Sequence, residues 1–191
     1  MKKSILFMFC AIALFAQKQS FMLDVNDEDL EIGYELVSPI GADANLYYGA
    51  TFLRGADEFD KMRMTGNFHI NAIGLTPLNA LAIKIGLKAV VSQIEQDDGD
   101  DGYPFAAPIG VGLIYTLPIA IKTHISAFYD IAPTALCFNE CDRYSELRFE
   151  AGVEPIEGGM IFGGWRDLEW REKGWKYELN KAAYIGVRIS F

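Results

Sequence analysis

The chain has 191 residues and a formal net charge of −9 at pH 7, with 26 acidic against 17 basic residues. This acidic balance argues against a nucleic-acid partner, because the phosphate backbone requires a basic surface on the protein. Charged residues are spread along almost all of the chain, so no uninterrupted apolar stretch of about 20 residues is available for a spanning helix.

The first 16 residues have the composition of a secretory signal peptide. Lys2 and Lys3 form a positively charged start, residues 5–15 are apolar, and Ala16 supplies a small residue at which cleavage can occur. The apolar stretch is shorter than a spanning helix needs, which disfavours the alternative of a retained anchor. The sequence therefore predicts a signal peptide, 1–16, whose removal takes the formal charge from −9 to −11 because both lysines are lost.

The mature domain, 17–191, shows the period-two alternation of apolar and polar residues that is typical of strands with two different faces. Ten segments are predicted to be strands: 19–26, 29–37, 44–54, 61–72, 81–92, 105–117, 119–131, 143–154, 159–169 and 182–191. Several reach the length of about ten residues that a tilted strand needs to cross a membrane. A count of eight strands is the alternative, because the turn between the first two segments is weakly marked.

The almost wholly apolar stretch 105–121 is the one place where a helix competes with strands. Pro108 and Pro118 interrupt this stretch, and Gly110 and Gly112 lower its helix propensity further. The stretch is therefore predicted to form two strands that turn near Pro118.

Loop lengths give an independent check on the strand count. With both termini on one side of the sheet, the connections on that side are short, and the longer ones, 93–104, 132–142 and 170–181, fall on the other side. Bacterial outer-membrane barrels have short periplasmic turns and longer extracellular loops. The sequence therefore predicts an all-β fold, an antiparallel up-and-down transmembrane barrel.

The last segment ends in an aromatic residue, a feature typical of strands that barrel-assembly machinery recognises. Tyr184, Gly186, Ile189 and Phe191 are the predicted insertion signal. An ordinary edge strand that happens to end in Phe is the alternative. Together with the signal peptide, this ending predicts an outer-membrane location.

Four stretches of the mature chain resemble the YfaZ family of outer-membrane proteins. They are Leu30–Tyr34, Ala127–Pro133, Tyr144–Glu146 followed by Phe149–Gly152, and Ala183–Phe191. The resemblance implies a barrel-forming, porin-like protein in the outer membrane and implies no particular biochemical role. Cys137 and Cys141 do not belong to the family pattern.

Turning the polar faces inward places charged side chains in the lumen. The predicted lumen-lining residues are Lys61, Arg63, Lys84, Lys88, Lys122, Glu31, Glu35, Glu146 and Glu150. A barrel of about ten strands is narrow, since about eight strands leave an interior filled by side chains and open channels have about sixteen. Opposite charges in so narrow a lumen are expected to pair. A structural or narrow-channel role is predicted, and an ion-selective pore is the alternative.

No enzymatic activity is expected, although one pair of residues suggests lipid acyl hydrolysis as a less favoured alternative. His124 and Ser126 share one face of a strand and could approach an acid such as Glu150. A nucleophile needs a base within about 3 Å and a third group that orients the base, and spacing alone establishes neither. Adhesion through the extracellular loops is a further alternative.

Cys137 and Cys141 are an even pair in an oxidising compartment and are candidates for a loop disulfide, with free thiols as the alternative.

Few ligands are predicted. The acidic run Glu95–Asp101 is expected to be a solvated loop tip, since it lacks the spacing of a calcium-binding loop. No metal or cofactor is predicted. The expected partners are membrane lipid, lipopolysaccharide and, during insertion, the barrel-assembly machinery, and the protein is expected to be a monomer.

Overall fold

Strands make up almost all of the structure. The computed structural model describes residues 18–41, 43–56, 62–76, 80–95, 101–139, 141–172 and 175–191, so the predicted signal peptide lies outside the described residues. Within these ranges the strands are β1 (Lys18–Val25), β2 (Asp29–Pro39), β3 (Ala44–Ala56), β4 (Met62–Leu75), β5 (Leu81–Glu95), β6 (Asp101–Gly102), β7 (Phe105–Ala106), β8 (Ile109–Leu117), β9 (Lys122–Ala132), β10 (Cys137–Phe138), β11 (Arg143–Ile156), β12 (Gly159–Glu172) and β13 (Trp175–Ser190). A single 3₁₀ turn, Thr134–Leu136, precedes β10. None of the described segments is a helix long and apolar enough to span a membrane.

Ten long strands close into an antiparallel barrel. Each pairs with the next in the order β1, β2, β3, β4, β5, β8, β9, β11, β12, β13, and β13 pairs back with β1 from Ser190 opposite Ser20 to Ile185 opposite Val25. The predicted barrel of about ten strands is confirmed, and the alternative of eight strands is wrong. Closure leaves the sheet without a free edge, so the backbone groups are satisfied between strands as a spanning sheet requires.

The predicted strand 105–117 is interrupted because Pro108 has no N–H to donate to the sheet. Its carbonyl oxygen still accepts a hydrogen bond from the Lys88 amide at 2.9 Å. On the outer side of this break, β7 stays in register with β5, with Ala106 opposite Val90, and β10 pairs with β7 at Cys137. The short strands therefore prolong the wall of the barrel beyond the end of β9.

The two ends of the barrel differ in their connections. The start of β1 and the short connections after β2, β4, β8 and β11 lie at one end, which we call the turn end. The longer connections lie at the other end, the loop end. Short turns face the periplasm and long loops face the cell exterior in this class of barrel, and this rule orients the molecule.

The outward-facing side chains form an apolar band around the barrel. It includes the exposed residues Ile83, Ile85, Leu87, Val111, Leu113, Ile125, Ile161, Ile185 and Val187. A water-soluble protein rarely exposes a contiguous apolar surface of this size, whereas a barrel in lipid requires one. The alternation in the sequence therefore places apolar residues against lipid and polar residues in the lumen over the central part of the barrel.

This polarity is reversed at the loop end of β12. There Asp167, Glu169 and Arg171 face outward, while Leu168 and Trp170 face inward and are 3% and 1% exposed. Charged side chains on the outer face and apolar side chains inside are the arrangement of a barrel in water. This part of the wall therefore projects beyond the lipid.

The prediction of a loop at 170–181 is wrong because the strands continue into this region of reversed polarity. β12 continues to Glu172 and β13 begins at Trp175, with Arg171 opposite Lys176. On the outer face, the Lys176 ammonium lies 2.5 Å from the Glu169 carboxylate and 2.7 Å from that of Glu178. The sequence pattern hid this extension because its polar residues resemble a loop when a lipid-facing strand is expected.

Candidate functional site

The lumen is divided into three layers along the barrel axis. At the loop end lies an apolar cluster, which we call the external plug: Leu53, Val90, Ala106, Ala132, Cys137, Cys141, Tyr144, Leu168, Trp170 and Leu179. The middle layer, the charge network, consists of Glu31, Lys88, Asp130, Glu146, Arg148 and Arg166. At the turn end lies an open cavity of about 830 Å³, which we call the vestibule. The cavity is lined by residues of the network and of the turn end, and not by the plug.

The external plug is built from inward-facing residues near the outer ends of the strands. Tyr144 and Trp170 pack edge to face with ring centroids 4.9 Å apart. Leu179 joins them because the register between β12 and β13 shifts at this point, which leaves Leu179 and Asn180 both buried. Full burial of a large apolar side chain contributes about 1.5–3 kcal/mol, so this layer is a core of the kind found in water-soluble domains.

The sequence did not reveal the plug. Tyr144 and Trp170 lie near strand ends, where aromatic residues of membrane proteins typically lie in the interface with lipid head groups, but both are buried inside the barrel. Trp165, which faces outward and packs on Phe149 with centroids 6.3 Å apart, is placed as an interfacial aromatic would be. The signal that could have found the plug is the phase change on β12, where polar residues move to the outward positions.

The charge network bridges the lumen from wall to wall. The Lys88 ammonium lies 2.6 Å from the Asp130 carboxylate and 2.8 Å from that of Glu146. The Arg148 guanidinium on β11 reaches Glu31 on β2 at 3.0 Å and Glu146 at 2.9 Å. These two strands lie four steps apart around the ring, so the pairing spans the interior. The structure thus joins the predicted lumen residues Lys88, Glu31 and Glu146 in one network.

Arg166 extends the charge network toward the plug. Its guanidinium donates to Glu31, and its Nε donates to the Asn180 side chain at 2.9 Å. The Asn180 amide in turn donates to Asp29 at the start of β2. Arg166 is fully buried. Arg148, Arg166 and Asp130 were not among the predicted lumen residues, although each lies at an inward position of the alternation.

The vestibule contains four more of the predicted lumen residues, most of them in ion pairs. Glu35 lies 2.9 Å from the His69 ring, and Glu150 lies 3.6 Å from the Arg188 guanidinium. Lys122 stands at the rim, 65% exposed, and its ammonium lies 3.4 Å from Glu154. Lys84 differs from the others, because its ammonium lies over the ring of Phe128, 4.2 Å from the centroid. The vestibule is therefore polar but contains no single-sign wall of charge.

Two predicted lumen residues lie elsewhere. Lys61 is outside the described residues. Arg63 lies near the loop end, where its guanidinium donates to the backbone carbonyl of Glu178 and is 4.0 Å from the Glu28 carboxylate. Arg63 does not line the vestibule and instead ties β4 to the extended β13.

The predicted insertion signal divides between the two faces of β13. Ile189 and Phe191 are 54% and 70% exposed, while Tyr184 is buried beside Arg148 and Arg166. Gly186 faces inward under the ring of Phe162, and a Cβ at this position would lie only 2.5 Å from that ring. Phe191 also continues the closure of the barrel, because its amide donates to the carbonyl oxygen of Gln19 at 2.9 Å. The outer face suits lipid, and the inner face serves packing.

His124 and Ser126 face the lumen on β9. The His124 ring makes a 3.0 Å hydrogen bond with the Thr116 hydroxyl on β8, and Ser126 lies opposite Glu150 in the ladder with β11. Among the hydrogen bonds of the described residues, none joins His124 to Ser126 or to Glu150. The three residues share a region of the vestibule without the contacts of a nucleophile, its base and an orienting acid.

Cys137 and Cys141 form a disulfide in the structure, with their Cα atoms 5.1 Å apart. The bridge closes the short segment around β10 and is buried in the external plug. Most of the acidic run 95–101 lies outside the described residues. In the part of the chain that the structure describes, no cluster of three or more His, Cys, Asp or Glu residues could hold a metal ion.

Comparison with known proteins yields one family match. A family model described as YfaZ precursor matches residues 2–191. No sequence among the curated proteins matches the chain significantly. Among solved structures, OmpT, an outer membrane protein of Vibrio cholerae in a trimer form, is 12% identical with a TM-score of 0.40, and the match covers 85% of this chain and 56% of that one. The NanC porin is 7% identical with a TM-score of 0.45, and the match covers 91% of this chain and 98% of that one.

Proposed function

The chain belongs to the YfaZ family, and for this outer-membrane barrel we propose a structural, non-conducting role with a lumen closed toward the cell exterior and open toward the periplasm. The observation that carries the proposal is the external plug. Its residues fill the lumen at the loop end, and Val90, Tyr144 and Trp170 are no more than 1% exposed. An ion would have to leave water to cross this layer.

The charge network supports the same role. An apolar constriction opposes conduction because it excludes water, and below it Arg148 and Lys88 are held by carboxylates on facing strands. Removing one partner from a buried ion pair costs about 3–5 kcal/mol, so these side chains resist displacement by a passing ion. Two successive barriers of different chemistry therefore separate the vestibule from the exterior.

A narrow ion-selective pore is the second candidate, and the vestibule is the observation that favours it. The cavity opens at the turn end and is lined by more than half of the predicted lumen residues, so a movement of the plug and network would complete a path. In this alternative, Lys84→Glu would shift the reversal potential toward cation selectivity, because the substitution replaces a positive charge in the path by a negative one.

Single-channel recording in a planar bilayer distinguishes the two candidates. We expect the wild-type protein to be silent, and we expect Trp170→Ala combined with Leu168→Ala to produce discrete steps because the plug then loses its largest side chain and a second inward apolar side chain from the same strand. Trp165→Ala is the matched control, since Trp165 is on the same strand and faces outward. Discrete steps from the wild-type protein would overturn the structural proposal in favour of the pore.

Catalysis and oligomerisation are outside the proposed role. The inward position of His124 and its hydrogen bond to Thr116 support a packing function for the residues that suggested lipid hydrolysis. Within the described residues, each of the ten long strands is paired on both sides, which supports a monomer surrounded by lipid and lipopolysaccharide. The barrel-assembly machinery is the proposed partner during insertion.

A further inference from the structure

Lys84 stands apart from the other buried cations of the lumen. In the described part of the chain, each inward Lys or Arg that is not at the rim, apart from Lys84, has a carboxylate within 4.0 Å: Lys88 with Asp130 and Glu146, Arg148 with Glu31 and Glu146, Arg166 with Glu31, Arg188 with Glu150 and Arg63 with Glu28. Lys84 has no such partner among the described residues. It lines the vestibule.

The surroundings of Lys84 keep its ammonium in place without neutralising it. The ammonium lies over the Phe128 ring, and this ring occupies space that a side chain at Gly112 would overlap. The Asp130 and Glu35 carboxylates attract this ammonium only from beyond 4.0 Å. An ammonium removed from bulk water without a close counter-charge is costly, and an aromatic ring offsets only part of that cost. The position therefore lacks the close carboxylate that the paired cations have.

The opposite wall of the vestibule offers apolar surface beside a second cation. The Arg188 guanidinium lies over the Phe162 ring, 5.1 Å from its centroid, and contacts the sulfur atoms of Met22 at 3.4 Å and Met160 at 3.9 Å. Cavities of about 300–1,000 Å³ with apolar walls and a few polar groups are typical of small-molecule sites. The vestibule, at about 830 Å³, is of this size.

We propose that the vestibule is a binding site for a small organic anion of the periplasm, whose acidic group pairs with Lys84 and whose apolar body lies against Phe128 and against Met22 and Met160 of the opposite wall. The acidic group is a carboxylate or a phosphate, since both present the oxygens that an ammonium binds. The proposal does not depend on conduction, because the site is reached from the turn end.

Amide chemical shifts of the protein, purified from outer membranes into detergent micelles, test this proposal. Benzoate and phenyl phosphate are the probes for the two acidic groups, and benzylamine is the matched cation. We expect saturable shifts at Gly112 and Phe128 with at least one anion and none with benzylamine. Whichever anion binds more tightly identifies the acidic group.

Three substitutions assign the binding to Lys84. We expect Lys84→Gln to weaken anion binding by about tenfold, the loss that follows removal of one charge-assisted contact. Lys84→Arg restores the charge and is expected to stay within about threefold of the wild type. Lys122→Gln removes the same charge at the exposed rim, where ion pairing contributes little, and should change binding by less than about twofold.

Several outcomes would overturn the inference. Absence of saturable shifts with both anions would exclude the site, and equal shifts with benzylamine would exclude recognition of charge. Equal weakening by Lys84→Gln and Lys122→Gln would show that the anion responds to the net charge of the rim rather than to Lys84. The dispersed amide spectrum of each variant, compared with that of the wild type, shows whether the barrel is folded.

Discussion

Lys84 and Lys88 lie on the same strand and face inward, Lys84 in the vestibule and Lys88 in the charge network. Replacing each of them by Met should change the free energy of unfolding of the barrel in opposite directions. Both substitutions remove one positive charge and keep a long unbranched side chain, so they differ chiefly in the partners left behind. Lys88 holds Asp130 and Glu146 at 2.6 and 2.8 Å. Lys84 lies over the Phe128 ring.

The magnitudes follow from what each substitution leaves unpaired. After Lys88→Met, Asp130, whose side chain is 5% exposed, loses its cation, whereas Glu146 keeps Arg148 at 2.9 Å. Leaving one buried charge without its partner costs about 3–5 kcal/mol. Lys84→Met loses a cation–π contact of about 0.5–1 kcal/mol and removes an uncompensated charge, so we expect a change between zero and a gain of about 1 kcal/mol. The two variants should therefore differ by about 3 kcal/mol or more.

Equilibrium unfolding of the lipid-inserted barrel in urea measures this difference, with tryptophan fluorescence as the signal. The comparison is made without any organic anion in the buffer, because an anion bound at Lys84 would add to the stability of the parent protein. If Lys84→Met destabilises the barrel as much as Lys88→Met, then Lys84 has a counter-charge in the free protein and the reasoning about both lysines fails.

Three further predictions concern other parts of the barrel. Alkylation should add mass to Cys137 and Cys141 only after reduction, and immediate labelling of both thiols would contradict the disulfide. Gly186→Ala should destabilise the barrel by about 1–3 kcal/mol because its Cβ would press on the Phe162 ring; Gly163→Ala, whose Cβ meets no atom closer than 3.5 Å, is the control in the same urea assay. Ser126→Ala should leave lipid deacylation at the level of the parent protein, and a loss of measurable hydrolysis would revive the enzymatic alternative.

The sequence by itself was sufficient to predict the barrel and the part of its wall that faces lipid. Period-two alternation depends only on the geometry of a strand, so Ile83, Ile85 and Leu87 were assigned to one face and Lys84 and Lys88 to the other without knowledge of any neighbour. Loop lengths then provided a check on the strand count, because an even number of strands brings both ends of the chain to the same side. Such local and periodic properties are present in the sequence before any tertiary contact forms.

The depth and the pairing of the side chains in the lumen were decided by the tertiary structure. Alternation assigns a residue to the inside but does not determine how far along the axis it lies, and depth depends on the register between strands. The register placed Leu168 and Trp170 beyond the lipid, where apolar side chains turn inward, and it brought Glu31 to Arg148 across four strands. The sequence assigns both Lys84 and Lys88 to the inward face of one strand. Only the tertiary structure shows that carboxylates from facing strands include Lys88 in the charge network, whereas Lys84 faces the open vestibule.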